Sequence, residues 1–263
     1  MTKNSPIGIF DSGVGGTSIW QEIYDLLPYE NSIYLADSKN APYGNKSSEE
    51  IAALSIKNTE KLLELGCKCV VVACNTATTN AIDLLRNRYD LPIIGIEPAI
   101  KPAALQTKTN SIGILATKGT LTSALFHKTS AAFTSNISVV EIVGEGLVPL
   151  IEKGAINSQE MEELLEKYTA PMIAANIDHL VLGCSHYPYL IPKLEKILPK
   201  TVTIIDSGLA VAKHTKTLLE QNNLLNTSRK TPKLKFYTNT DTSTLEFLLK
   251  DYQKKISIEQ KEF

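Results

Sequence analysis

With 263 residues, 43% of them hydrophobic and 21% charged, the chain has the composition of a globular protein of two ordinary domains or one large one. A formal net charge of −1 gives no electrostatic reason to expect nucleic acid or an anionic membrane as a partner. No apolar run approaches the roughly 20 residues of a membrane span, residues 1–6 form no signal-like stretch, and four cysteines make no disulfide framework, so free thiols in a reducing cytoplasm are expected.

Ile7–Phe10 reads as a short buried strand ending at Asp11-Ser12-Gly13-Val14-Gly15-Gly16, with an amphipathic helix from about Thr17 to Leu27 behind it. Ile33–Ala36 is the next strand, ending at Asp37, and Asn40-Ala41-Pro42-Tyr43-Gly44 is the loop beyond it. Ser47-x-x-Glu50 is a capping box opening a helix that runs to about Leu65, where Gly66 stops it. Val70-Val71-Val72-Ala73 has the unbroken apolar character of a parallel strand buried on both faces, and it ends at Cys74. The polar residues after Cys74 supply N-cap candidates for a helix through Ala81–Arg88, and Pro92–Glu97 makes a fourth strand.

The second half begins the same way. Ile112–Ala116 is a strand, followed by a loop at Thr117-Lys118-Gly119-Thr120 and a helix; Val139–Val143 is a strand, and Asn157 caps a helix to about Asn176. Leu180-Val181-Leu182-Gly183 ends at Cys184-Ser185-His186, Thr203–Asp206 follows, and a helix runs to about Gln221. Asn222–Lys233 is a polar connector, Leu234–Thr238 a strand, and Thr242–Lys254 a last helix, with the lysines between Lys230 and Lys261 read as a solvated face.

Set side by side, the halves show a weak repeat: Ile7-Gly8-Ile9 corresponds to Ile112-Gly113-Ile114, Cys74 to Cys184, and Ile93–Glu97 to Thr203–Asp206. The expected fold is α/β, with two similar lobes of mainly parallel strands related by a pseudo-two-fold and their carboxyl edges facing across a cleft. Each wall then carries one thiol.

Two opposed thiols permit one reaction in particular. A thiolate removes the proton from the α-carbon of a carboxylate, and a thiol on the other face returns one, inverting the configuration without a metal or redox cofactor. Proton transfer alone contributes about 10²–10⁴-fold, so donors aimed at the developing enolate must supply much of the rest. Only three arginines occur, and Ser12, Asn75, Thr76, Thr120 and Ser185 are the candidate donors. His186, two residues beyond Cys184, is the natural polariser on that wall, and Asp11 is the candidate for the Cys74 wall.

Other readings of the same residues are weaker. Gly13-Val14-Gly15-Gly16 suggests a dinucleotide loop, but Ser18 stands where glycine or alanine is needed, and Asp11 would oppose the pyrophosphate. Cys67-Lys68-Cys69 has no further ligand at zinc spacing, and His127, His179 and His214 lie in no motif.

Taken together, Ile9-Phe10-Asp11-Ser12-Gly13-Val14-Gly15-Gly16, Tyr34-Leu35-Ala36-Asp37 with Pro42-Tyr43-Gly44, Ala73-Cys74-Asn75-Thr76-Ala77-Thr78 and Leu182-Gly183-Cys184-Ser185-His186-Tyr187-Pro188 resemble the glutamate racemases of the cofactor-independent aspartate/glutamate racemase superfamily. The resemblance implies Cys74 and Cys184 as the catalytic bases, the first acting on the D-isomer and the second on the L-isomer. It implies glutamate contacts at Asp11-Ser12, Pro42-Tyr43-Gly44, Asn75-Thr76 and Ser185-His186, with Ser185 standing where members of the family often carry threonine. It further implies a glutamate near the histidine, best matched by Glu152, and no cofactor. Supply of D-glutamate for peptidoglycan, a homodimer and a discontinuous first lobe (residues 1–97 with 208–263, against 98–207) are also implied. The rival expectations are a racemase of aspartate or another acidic substrate, a Cys-His thiol hydrolase or transferase, and a two-lobed small-molecule binding protein.

Overall fold

The apolar runs form the expected strands. In the computed structural model, which describes all 263 residues, they assemble into two sheets in which every pairing is parallel. The larger sheet holds β1 (Ile7–Asp11), β2 (Ser32–Ala36), β3 (Cys69–Val72), β4 (Ile93–Gly95), β9 (Leu234–Thr238) and β10 (Ile256–Gln260), in the order β10-β9-β2-β1-β3-β4. The smaller holds β5 (Ser111–Ala116), β6 (Ser138–Val143), β7 (His179–Gly183) and β8 (Thr203–Ile205), in the order β6-β5-β7-β8. The first four strands of the chain therefore take the order 2-1-3-4, and the next four repeat it. The internal repeat read from Ile7-Gly8-Ile9 and Ile112-Gly113-Ile114 is a repeat of topology.

That order places a switch point between β1 and β3 in one sheet and between β5 and β7 in the other, and open α/β sheets bind ligands beyond the carboxyl ends of strands at such points. Ser12 and Cys74 follow one pair of strands; Thr117 and Cys184 follow the other. β1, β3 and β7 are buried along their whole length, as parallel strands covered on both faces must be.

The C-terminal segment returns to the first sheet. β9 pairs with β2, and Phe236 meets Trp20 of α1 (Thr17–Leu26) edge to face at 4.8 Å, with Tyr252 against the same indole at 5.1 Å. Such aromatic pairs add about 0.5–1.5 kcal/mol beyond their area. Lys68 is fully buried in this unit, its ammonium 2.5 Å from Glu30 and donating to the carbonyls of Lys3 and Leu224.

Several elements differ from expectation. Cys74 is itself the N-cap of α3 (Asn75–Arg88), its Sγ accepting from Ala77 N–H at 3.4 Å, so the polar run that follows forms the first helical turns. Ser158, not Asn157, caps α8 (Gln159–Ala174) by accepting from Met161 N–H. The last helix, α11 (Ser243–Leu248), stops six residues early, and β10 follows where a solvated face is expected. Only Ile256 and Ile258 of β10 are partly buried, so the alternation Ile-Ser-Ile-Glu is the trace of an edge strand with one covered face. Four short helices also lie outside the expected elements: α4 (Ile100–Gln106), α5 (Lys118–Leu121, where a loop is expected), α7 (Leu147–Glu152) and α9 (Ile191–Ile197). The capping box at Ser47 and Glu50 opens α2 (Ser48–Glu64) as read, and Gly66 terminates it with φ +77°. No helix is long and apolar enough to cross a membrane.

Candidate active site

A narrow cavity of about 10 Å³ lies where the carboxyl ends of the two sheets meet. The larger sheet contributes Ser12, Pro42, Tyr43, Gly44, Cys74, Asn75 and Thr76; the smaller contributes Thr117, Val148, Cys184, Ser185 and His186. Both thiols are thus on the wall of one cavity, as free cysteines, one from each sheet. A wider opening of about 270 Å³, lined in part by Asn45, Lys118 and the Val143–Gly146 turn, shares Pro42, Gly44, Thr117 and Val148 with it.

Three of the expected residues are not on the cavity wall. Thr120 lies behind it, its hydroxyl 3.3 Å from that of Thr76 and 3.0 Å from that of Thr117. Thr117 takes the place expected of Thr120 on the wall, and its signal was present in the repeat: it follows β5 as Ser12 follows β1. Asp11 is fully buried beneath the cavity and meets the Cys184 wall, accepting from Gly16 N–H at 2.9 Å and from the Ser185 hydroxyl at 3.2 Å. Glu152, at the end of α7, sits behind His186 with Oε1 2.5 Å from Nε2. Val148 is the other wall residue beyond those expected; nothing in its sequence context separates it from an ordinary core valine.

The walls differ in electrostatics. Burial pushes the Cys74 thiol well above its ordinary range and the negative charge of Asp11 adds to this, while Ala77 N–H and the Ser12 hydroxyl pull the other way. The helix N-terminus therefore favours a thiolate at Cys74, but burial outweighs it. On the other wall His186 Nδ1 stands 3.8 Å from Cys184 Sγ and 3.9 Å from Asp11 Oδ2. Burial opposes a charged ring at His186, yet the hydrogen bonds to Cys184 and Glu152 and the charge of Asp11 hold its pKa well above the usual value. Burial likewise raises the Asp11 carboxyl, with the His186 charge and Gly16 N–H acting against it.

Two features shape the cavity for an anion. Asn75 is 2% exposed, and neither its amide nitrogen nor its oxygen has a partner in the protein. A buried amide left so costs about 1–3 kcal/mol, which a bound polar group would recover. Tyr43 is fixed by a second buried network: its hydroxyl donates to Asp37 at 2.5 Å and accepts from Asn58, while Asn239 and Asn40 donate to the other Asp37 oxygen. Asp37 thereby anchors the Pro42–Gly44 loop at the cavity mouth. No group of three or more His, Cys, Asp and Glu side chains is arranged to hold a metal ion.

Comparison with known proteins agrees with this arrangement. Residues 18–215 match the family model described as Asp/Glu/Hydantoin racemase. A glutamate racemase of Ectopseudomonas mendocina is 48% identical over 226 residues, 86% of this chain and 86% of that protein. Among solved structures, a glutamate racemase isoform of Bacillus anthracis superposes with a TM-score of 0.88 at 31% identity, covering 99% of this chain and 98% of that one. The glutamate racemase of Francisella tularensis, solved in complex with D-glutamate, superposes with a TM-score of 0.84 at 30% identity over 99% and 98% of the two chains. The chain belongs to the Asp/Glu/hydantoin racemase family and, within it, to the glutamate racemases.

Proposed function

We propose that this glutamate racemase interconverts L- and D-glutamate with Cys74 and Cys184 as opposed acid–base groups. The observation that carries the reading is that two free thiols, from corresponding positions of two sheets, line one cavity together with an unpartnered Asn75 amide. Substrate glutamate binds with its α-carbon between the sulfurs. Ser12, Asn75, Thr76 and Thr117 donate to its carboxylates, Ser185 lines the same wall, and the Pro42-Tyr43-Gly44 loop closes the mouth. Cys184 takes the α-proton of the L-isomer, and Cys74, held as a thiol by burial, returns a proton to the other face. The D-isomer runs the same steps in reverse. A cationic His186, steadied by Glu152, exchanges the proton with Cys184; Asp11 orients Ser185 and balances the His186 charge. Positioning supplies the larger part of the acceleration, since proton transfer alone gives about 10²–10⁴-fold.

We further infer that residues 1–97 with 208–263 form one lobe and 98–207 the other. Strands at both ends of the chain support this by joining the same sheet, as does the packing of α1 against α10 (Gly208–Gln221). A cytoplasmic homodimer supplying D-glutamate for peptidoglycan accords with the family resemblance.

Incubation with L- or D-glutamate in D₂O, without added cofactor, tests the reading. Deuterium should enter the α-position as optical rotation decays, and Cys74→Ala and Cys184→Ala should each abolish racemisation. Equal turnover of aspartate would shift the substrate assignment. A covalent adduct on Cys184 with no need of Cys74 would replace the mechanism with nucleophilic catalysis, and tight glutamate binding without α-proton exchange would leave a binding protein.

A further inference from the structure

Glu152 belongs to the smaller-sheet unit, yet apart from His186 the donors that fix its carboxylate come from the other. Val14 N–H reaches Oε1 at 2.7 Å and the Ser38 hydroxyl reaches Oε2 at 2.8 Å. His186 Nε2 meets Oε1, so Ser38 is the only side chain apart from His186 that bonds this carboxylate. Ser38 lies in the short turn Ser38–Asn40, directly after Asp37 and outside the catalytic cavity. A side opening of about 260 Å³, lined by Ser38, Glu152, Lys153 and Asp241 among others, runs alongside the pair. Water there can reach Oε2 wherever Ser38 does not hold it.

We propose that Ser38 is a positioning residue for the reaction, its hydroxyl fixing the rotation of the Glu152 carboxylate so that Oε1 stays on His186 Nε2 and the ring keeps Nδ1 toward Cys184 Sγ. Oε1 already serves two donors, Val14 N–H and the imidazole. Without the Ser38 bond the carboxylate is free to twist about Cγ–Cδ away from the imidazole, and water in the side opening competes for the charge. The imidazole then loses a fixed acceptor, and proton exchange at Cys184 slows. Because Ser38 and Glu152 follow different sheets, the contact also ties readiness of the Cys184 wall to closure over the site. Ser38 acts on one wall only: Cys74 has no link to this chain of bonds.

The inference rests on the proposed assignment of Cys184 to the L-isomer, and its test is directional. In Ser38→Ala, racemisation should fall about tenfold, the effect of losing one hydrogen bond to a charged group. The primary isotope effect should rise with α-deuterated L-glutamate and fall with α-deuterated D-glutamate, as the Cys184 step becomes more limiting. The thermal midpoint should fall by only a few degrees, and Ser38→Thr, which keeps the hydroxyl, should restore both rate and isotope effects. Wild-type rates in Ser38→Ala, or a loss with both isotope effects unaltered, would overturn the positioning role. Cys184→Ala run in parallel separates the two failures. If it still racemises, the two-thiol reading falls and this inference with it. If it is dead while Ser38→Ala is normal, only the role of Ser38 falls.

Discussion

Glu152 Oε1 lies 2.5 Å from His186 Nε2, and the other nitrogen of the same ring stands 3.8 Å from Cys184 Sγ. A carboxylate outside the cavity thus acts on a sulfur inside it through one imidazole. Glu152→Gln keeps the shape and removes the charge, so His186 should hold its proton less tightly. The limb of the pH–rate profile that reports His186 should move to lower pH, and activity at neutral pH should fall. The stability linkage has the same origin. His186 is held above its unfolded value of about 6.5, so the stability it contributes is complete below that pH and is lost as pH rises through the folded value. Glu152→Gln should diminish that contribution, flattening thermal midpoint against pH on the alkaline side of 6.5. A midpoint profile that superimposes on wild type would show the ring to be uncharged in the native protein.

Asn75 presents the opposite balance of stability and activity. Its buried amide has no partner, so Asn75→Leu, similar in shape and apolar, removes a desolvation cost of about 1–3 kcal/mol. The thermal midpoint of the free enzyme should rise by several degrees while KM for glutamate rises about 10- to 100-fold. Calorimetry paired with steady-state kinetics checks both. A fall in the midpoint with unchanged KM would mean that the amide serves the protein rather than the substrate.

Much of this site was legible because its residues sit where topology concentrates ligands. Cys74 and Cys184 end corresponding buried strands, and polar residues following an apolar run are visible in any one sequence. Thr117 was recoverable from the repeat, as the counterpart of Ser12, but a repeat read only from its glycines and cysteines passes over it. Ser38 and Val148 were not legible: one acts through a contact with a residue 114 positions away, the other is a valine among many. β10 escaped for a different reason. An edge strand with one covered face keeps only two apolar residues, and the lysines that flank it on both sides look like a solvated face.

Lys68 stands between two cysteines just ahead of β3, its ammonium buried against Glu30 with two backbone carbonyls completing its shell. Removing one partner of such a pair strands the other charge, at a cost of about 3–5 kcal/mol. Lys68→Met should therefore lower the thermal midpoint by roughly 10 °C. Replacing both, as Lys68→Met with Glu30→Leu, should recover part of the loss, because a buried pair exchanged for apolar side chains is often close to neutral. Folded protein of either variant should racemise at the wild-type rate, since the pair touches no cavity residue. If the double variant unfolds at a lower temperature than the single, the ion pair contributes more than its own desolvation.

Gly15 bears on the chemistry through space alone. Its backbone nitrogen passes 3.2 Å from His186 Nε2, and a Cβ built at this position would overlap the imidazole ring. Glycine is required there by the approach of the ring, since its backbone torsions are ones any residue adopts. Gly13 stands in the same relation to the Glu152 carboxylate. Gly15→Ala must push the ring away from the β1–α1 turn, lengthening either the contact with Glu152 or that with Cys184. A displacement of about 1 Å at a reacting group costs on the order of 10²-fold in rate. Racemisation should accordingly fall by about that factor, while glutamate still protects the protein against thermal unfolding through Asn75, Thr76 and Ser12. Ala at position 15 with full activity would mean that the ring has room to retreat and still reach Cys184, and that its contact with Glu152 does not govern the proton transfer.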